Sequence, residues 1–307
     1  MKSTKALLVT AVAFFLLLSI SGCSAATAKN QTLSSNISYT ESVISYLGPE
    51  GTYTQEACFA FFDHNGTYLP YTTVGEAVQA VIDGETDFAV IPQENTIGGA
   101  VIDYVDTLIS QETLSIIGEV ELPINQNLLV LPGTALENIE TVYSHKQGIA
   151  QGKAWLEENL PAAEIIEVSS TAEGARMVSE AGNPSCAAIA SAACAEVYGL
   201  EVLASGIQNN DSNKTRFYVL SPEAPLTIPA DRLAFIAIGD ADDLPALMSK
   251  IEKLKIKLVT IHDRPLKTEL GEYYYLIECT DCSYKDFEKL SKNSLFQFRY
   301  LGSFNAK

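Results

Sequence analysis

Short strand-like runs alternate with helical patterns along most of this chain, and that alternation constrains the fold more than any other feature of it. Val43-Ile44-Ser45-Tyr46-Leu47 reads as a strand, which Gly48-Pro49-Glu50-Gly51-Thr52 breaks sharply. A helix follows, with Thr54 as its cap and Ala57, Phe59, Ala60 and Phe61 as its apolar side. Thr73 to Val81 is an amphipathic helix, and Phe88-Ala89-Val90-Ile91-Pro92 is a buried strand ending at its proline. Strand, helix, helix, strand at these intervals is the grammar of an α/β fold. A second unit, residues 122–195, repeats it. Leu128–Pro132, Thr141–Ser144, Ile165–Val168 and Ala187–Ala190 are strand-like; one helix begins near Gln147 and another runs Thr171–Val178. Trp155 fits the packing face of the first of these helices.

Leu203 to Val219 returns the chain to the first unit, which therefore comprises residues 43–121 plus 196–221. Residues 222–230 carry prolines and read as a linker. Residues 231–305 then follow the order βαββαβ, the ferredoxin-like plan with helices on one face of an antiparallel sheet, at a suitable size of about 75 residues. The expected architecture is α/β: two α/β subdomains flanking a cleft, plus this C-terminal ferredoxin-like domain.

Composition narrows the function classes. The 307 residues carry 38 acidic and 20 basic side chains, a net charge of -18, with 47% hydrophobic residues. So large an apolar share excludes a disordered acidic segment. No basic stripe offsets the negative field, which argues against nucleic acid as a partner. Six cysteines are too few to build the fold from disulfides.

The N-terminus reads as a targeting segment. Lys2 and Lys5 precede an uncharged run, Ala6 to Ile20, too short for a comfortable membrane span. It ends in Ile20-Ser21-Gly22-Cys23, which resembles the lipobox of exported bacterial-type lipoproteins. The expectation is a signal peptide over residues 1–22, lipidation of Cys23, and a flexible tether over residues 23–42 rich in Ser, Thr, Ala and Asn. The protein is then exported and held in the cell envelope by a lipid anchor; if the leader is not functional it is cytoplasmic.

Two segments carry candidate chemistry. Gln93-Glu94-Asn95-Thr96-Ile97-Gly98-Gly99-Ala100 follows a buried strand, where open α/β sheets bind ligands, although Asn and Thr also cap helices with no ligand present. Lys214-Thr215-Arg216-Phe217 sets an arginine and a threonine on the lip of an apolar strand. Arginine clamps carboxylates and threonine donates a hydrogen bond; a structural ion pair is the plainer alternative.

Six segments in register, taken together, resemble the prephenate dehydratase family. They are Tyr46–Thr52, Val90–Thr96, Val142-Tyr143-Ser144-His145, Val168-Ser169-Ser170-Thr171-Ala172, Ala188–Ser191 and Asn213–Phe217. The tail resembles that family's ACT regulatory domain, and the likeness covers roughly residues 43–304. The resemblance implies an enzyme without cofactor or metal, whose substrate prephenate loses carbon dioxide and its ring hydroxyl to give phenylpyruvate in phenylalanine biosynthesis. It sets Thr215 at the catalytic threonine and Arg216 at the substrate-carboxylate arginine, with Glu94, Asn95, Ser144 and Gln151 at further catalytic positions. Phe217, Thr96, Ser169 and Thr171 fall at substrate-binding positions. Phenylalanine is the implied allosteric ligand, at Asp243, Leu244, His262, Asp263, Arg264 and Pro265, in a homodimer or homotetramer.

The chain departs from the family pattern in four places. Gln93 stands where the family commonly has isoleucine, and Lys146 where it often has proline. The turn Ala241-Asp242-Asp243-Leu244 lacks the glycine of the family's ligand-binding turn, and His262-Asp263 replaces a Glu-Ser pair. Cys279 and Cys282 form a lone Cys-x-x-Cys that fits a local disulfide or no function. Two other readings stay open: arogenate as the substrate, and a non-catalytic solute-binding lipoprotein, since two lobes around a cleft and an export signal suit that role too.

Overall fold

Strands buried on both faces, such as Asn127–Val130 and Cys186–Ala190, and the capped helices between strands account for the architecture. The computed structural model describes residues 39–307 apart from 224, 268–269 and 293; the leader and Cys23 therefore lie outside the described residues. In the first unit the order is β1 (Val43–Leu47), α1 (Tyr53–Phe62), β2 (Thr67–Tyr71), α2 (Val74–Ile82), β3 (Phe88–Asn95), β4 (Gly99–Ala100), α3 (Ile102–Ser110) and β5 (Ser115–Pro123). The second unit runs β6 (Asn127–Val130), β7 (Thr141–Ser144), α4 (Lys146–Gln151), α5 (Lys153–Asn159), β8 (Glu164–Glu167), α6 (Thr171–Ala181), β9 (Cys186–Ala190), α7 (Ala192–Tyr198) and β10 (Glu201–Ala204). β11 (Lys214–Ser221) returns to the first unit, and the tail is β12 (Arg232–Asp240), α8 (Leu244–Lys253), β13 (Lys257–Pro265), β14 (Glu272–Thr280), α9 (Tyr284–Ser291) and β15 (Gln297–Phe304).

Three sheets result, ordered β2-β1-β3-β11-β5 with β4 on β3, β10-β6-β9-β7-β8, and β13-β14-β12-β15. Two α/β subdomains and a smaller ferredoxin-like sheet match the expected class. Several local expectations change. The cap of α1 lies two residues before Thr54, because Thr52 in extended backbone accepts from the Gln55 N–H. β2 is an unforeseen edge strand; Pro70 obscures it in sequence, yet an edge tolerates proline. β3 does not stop at Pro92 but runs on to Asn95, with the proline beside a bulge opposite Arg216 and Phe217. The second subdomain extends beyond residue 195, since β10 pairs antiparallel with β6 and only then does the chain return. The end of the expected tether belongs to the folded body: the Tyr39 ring meets Phe62 edge-on at 4.8 Å and Phe88 at 5.6 Å, while residues 23–38 lie outside the described residues.

The first sheet is covered on both faces. Ile44, Tyr46, Val90, Phe217 and Val219 pack on α1 residues Ala57 and Phe62. On the opposite face Ile91, Ile116, Tyr218 and Leu220 share one core with α2, α3 and with Ala234, Ile236, Leu276, Leu301 and Phe304 of the tail. The tail's other face carries α8 and α9, through Leu247, Ile251, Phe287 and Leu290. The C-terminal sheet is thus a wall of the first unit, not a module on a string. Its chain end pairs with β5: the Glu121 N–H donates to the Lys307 carbonyl at 3.1 Å and the Lys307 N–H to the Glu119 carbonyl at 2.9 Å. Gly302, at φ +145°, permits this approach, because a Cβ there would sit 2.3 Å from the Ile116 carbonyl oxygen. Trp155 packs at the edge of the second unit's core with Leu156, Leu160 and Ile189, as its helical position suggests.

Candidate active site

Antiparallel pairing of β3 with β11 sets Asn95 opposite Thr215 and Glu94 opposite Arg216. Neighbouring side chains on a strand point to opposite faces, so these two pairs part company. Thr215 and Asn95 look to the face shared with α1 and the second subdomain, whereas Arg216 and Glu94 look to the C-terminal sheet. The Asn95 side chain is held at four points: its Nδ2 donates to Thr215 Oγ1 at 2.9 Å and to the Lys214 carbonyl at 3.3 Å, and its Oδ1 accepts from the Ile97 and Gly98 N–H groups. Thr215 Oγ1 is an acceptor in that contact, which leaves its own hydrogen to donate.

Beside this pair lies a cavity of about 240 Å³, walled by Asn95, Ile97 and Gly98 of the first unit, by Gln147 and Gln151 of α4, and by the loop at residues 209–210. No lining side chain is charged. Gln151 Oε1 accepts from Gln126 Nε2 at 2.9 Å, which orients its amide hydrogens. Gln147 reaches across the cleft: a Cβ on Gly98 would meet its Nε2 at 2.6 Å. Sequence reasoning passed over Gln147; its spacing of four from Gln151, on one helical face, is the signal that could have found it. Among the described residues, no group of three or more His, Cys, Asp or Glu is arranged to hold a metal ion.

Thr215 is buried and reaches the cavity only through Asn95, and the remaining candidates do not gather there. Arg216 is a correction to the clamp expectation, because its guanidinium is already committed to carboxylates. Its Nε and Nη2 donate to Glu119 at 3.0 and 2.5 Å, Nη2 also to Glu278 at 2.5 Å, and Nη1 to Glu94 at 3.3 Å. Burial opposes the charge on Arg216, but the bonds to Glu119 and the charge of Glu278 outweigh it and hold the guanidinium protonated. Burial pushes the Glu119 carboxyl above its usual range, with Arg216 pulling the other way. Glu94 points with Arg216, away from Thr215, so a proton relay between Glu94 and Thr215 has no geometric basis here. Ser144 is fully buried beneath α4 and donates to the Ile189 carbonyl at 2.7 Å. Phe217 is core, 1% exposed. Thr96 is exposed and its hydroxyl closes the β3–β11 strand ends through the Lys214 carbonyl at 3.0 Å. Ser169 is exposed, and Thr171, the first residue of α6, packs near Gly148.

The tail residues cluster at one end of the third sheet, where Pro265 pairs with Tyr273 and Tyr273 with Gly239, just before the turn to Asp243 and Leu244. Arg264 is bound bidentate to Asp106 of α3, at 2.5 and 2.9 Å. His262 faces the Tyr104 ring edge-on, and burial holds its imidazole below the usual range. Asp263 is exposed beside them. Cys279 and Cys282 are free thiols.

Comparison with known proteins bears on the family and the fold. The prephenate dehydratase family profile matches residues 44–225. The bifunctional chorismate mutase/prephenate dehydratase of Aquifex aeolicus is 34% identical over 252 residues, covering 81% of this chain and 68% of that protein. The prephenate dehydratase of Bacillus subtilis is 32% identical over 248 residues, 76% of this chain and 87% of that one. The crystal structure of prephenate dehydratase from Arthrobacter aurescens in complex with L-Phe is similar over 86% of this chain and 90% of that chain, with 30% identity and a TM-score of 0.77. With more than half its length matched and its cleft assembled from the matched segments, the chain belongs to the prephenate dehydratase family.

Proposed function

We propose that this protein converts prephenate to phenylpyruvate in the cleft between its two α/β subdomains, with Thr215 as the group that assists departure of the ring hydroxyl. One observation carries the assignment of Thr215: the Asn95 amide, from a residue that lines the cavity, occupies its oxygen as an acceptor, so the hydroxyl hydrogen is left to donate. In the reaction the electron pair of the ring-carbon–carboxylate bond moves into the ring as the C–O bond breaks. Carbon dioxide leaves, and the hydroxide departs as water once it takes up a proton. A threonine hydroxyl is a weak acid, so its contribution is a directed hydrogen bond to the developing oxyanion in a site with little water. Aromatisation of the ring supplies much of the driving force.

The uncharged wall suits the other half of the reaction. A cation against the ring carboxylate would stabilise the charge that must disappear as neutral carbon dioxide, whereas the amides of Gln147 and Gln151 orient the substrate without opposing that loss. With Arg216 engaged elsewhere, the side-chain carboxylate is met by amide donors of the cleft, with exposed Lys146 adding a positive charge at its mouth. The βαββαβ tail is an ACT-like regulatory domain that takes phenylalanine more weakly than its relatives, since Asp242 and Asp243 bring negative charge to the ligand-binding turn. The sequence of the leader supports lipidation at Cys23, and loss of lipid labelling in Cys23→Ser tests it.

The function is tested by incubating the purified full chain with prephenate, and in parallel with arogenate, and following aromatic product. Phenylpyruvate from prephenate at the higher kcat/KM is the expected result. Preference for arogenate would reassign the substrate, and tight prephenate binding without product would favour a binding protein.

A further inference from the structure

Glu278 is the least expected residue in the molecule. It sits on β14 in an otherwise apolar run, Leu276-Ile277-Glu278-Cys279, and it is fully buried. Four groups converge on it. Oε1 accepts from Arg216 Nη2 at 2.5 Å and lies 3.1 Å from Arg232 Nε. Oε2 accepts from the Tyr218 hydroxyl at 2.6 Å and from Gln93 Nε2 at 3.0 Å. Gln93 and Arg216 each stand beside the working residues: Gln93 two positions before Asn95 on β3, Arg216 next to Thr215 on β11. A carboxylate of the C-terminal sheet therefore grips both strands at the ends that form the cleft, from the face opposite the substrate. Gln93 is also one of the positions where this chain departs from the family pattern, and an isoleucine there could not make the bond.

Charge makes the grip hard to exchange. Buried carboxylates without partners are costly, so Glu278 and Glu119 keep Arg216 between them, and the Gln93 side-chain amide, at the bulge, donates to both Glu278 and the Tyr218 hydroxyl. The spacing of β3 from β11, and with it the 2.9 Å contact of Asn95 with Thr215, then depends on how the C-terminal sheet is seated. We infer that Glu278 is a positioning residue for the reaction, setting the Asn95–Thr215 geometry through Gln93 and Arg216 and so tying turnover to the docking of the C-terminal sheet. The inference rests on Thr215 being the acting hydroxyl; the contact geometry it concerns can be read without activity.

The test uses the full chain and two variants, Glu278→Gln and Gln93→Leu. The first puts an amide opposite the Gln93 donor and removes the charge that faces Arg216; the second removes the Gln93 bonds to Glu278 and to the Tyr218 hydroxyl, at 3.0 and 2.7 Å, and leaves every charge paired, which protects the experiment if Glu278→Gln folds poorly. Two measurements are made: kcat and KM for prephenate, and amide hydrogen exchange at Thr96, Ile97 and Gly98, whose N–H groups report the strand closure and the Asn95 side chain. Displacing catalytic groups by an ångström costs up to about 100-fold. The expected result is a fall in kcat of about 10-fold or more with KM little changed, and exchange faster by about 10-fold at these three amides but not in the second unit. Unchanged kcat and unchanged local exchange in folded Gln93→Leu would overturn the inference, as would exchange that rises uniformly throughout the chain. If the unaltered protein does not turn over prephenate, the dehydratase reading fails, and the exchange measurement alone still decides the positioning role.

Discussion

Thr215 and Arg216 are adjacent in sequence and do opposite jobs, because a strand turns neighbouring side chains to opposite faces. The hydroxyl accepts from the Asn95 amide, whose residue lines the cleft; the guanidinium is 13% exposed and shared among Glu94, Glu119 and Glu278. If Arg216 were a substrate clamp, removing it would raise KM and leave the fold intact. With Arg216 as the cation of a buried cluster, Arg216→Gln should lower stability by about 3–5 kcal/mol, since two fully buried carboxylates lose their main partner. KM for prephenate should stay within about twofold for the folded fraction, because no uniform binding contact is lost. Thermal unfolding and steady-state kinetics on the same preparation check this; a tenfold rise in KM at unchanged Tm would restore the clamp. The lone glutamate in an apolar strand was the visible sign of this cluster. Its partners were not legible, because they lie on strands far apart in sequence whose pairing only the folded sheet reveals.

The elements were read most successfully where periodicity and capping agreed. β1, β7, β9 and the βαββαβ tail follow from apolar runs bounded by turn residues, whereas β2 and the end of β3 were hidden by Pro70 and Pro92, which an edge and a bulge accommodate. The contact between sheets leaves two marks in the sequence, the lone Glu278 and Gly302. Gly302→Ala forces a Cβ to 2.3 Å from the Ile116 carbonyl at a φ that L-residues avoid, so β15 must withdraw from β5. A loss of about 1–3 kcal/mol in denaturant unfolding, with faster exchange at Glu119 and Glu121 amides, is expected. A substitution without effect would show that the two sheets are not in close contact there. At α9, the Ser283–Asp286 capping box and the Lys289 ammonium hold the Asp286 carboxyl down at about 2 from its usual 3.8, Lys289 being the larger cause. A lowered carboxyl contributes stability that is present above the unfolded value and is lost as pH falls from about 4 towards 2. Titration of Asp286 by NMR should therefore give a midpoint near 2. An ordinary value would mean the cap is open in solution.

At the scale of the whole molecule, one apolar core joins the first subdomain to the C-terminal sheet, and the buried Glu278 cluster lies within that junction. Cutting the chain after Pro229 would expose Ile91, Ile116, Tyr218 and Leu220 to water and leave Arg216 and Glu119 without Glu278. Such a truncated chain should aggregate or unfold well below the full chain in a thermal melt, and a monomeric, active truncated protein would contradict the shared core. The two α/β subdomains and the ferredoxin-like tail were legible from element order; that the tail is a wall of the catalytic unit was not, because sheet-to-sheet packing has no sequence period. The account stands most directly on Thr215. Full-length protein and Thr215→Val, which keeps the shape and removes the hydroxyl, should be compared for prephenate binding by calorimetry and for phenylpyruvate formation at saturating substrate. The account predicts product from the unaltered chain, similar binding by both, and turnover lower by about 100-fold or more in Thr215→Val, since a donor aimed at the departing oxygen is lost. Equal turnover by the two proteins would contradict it.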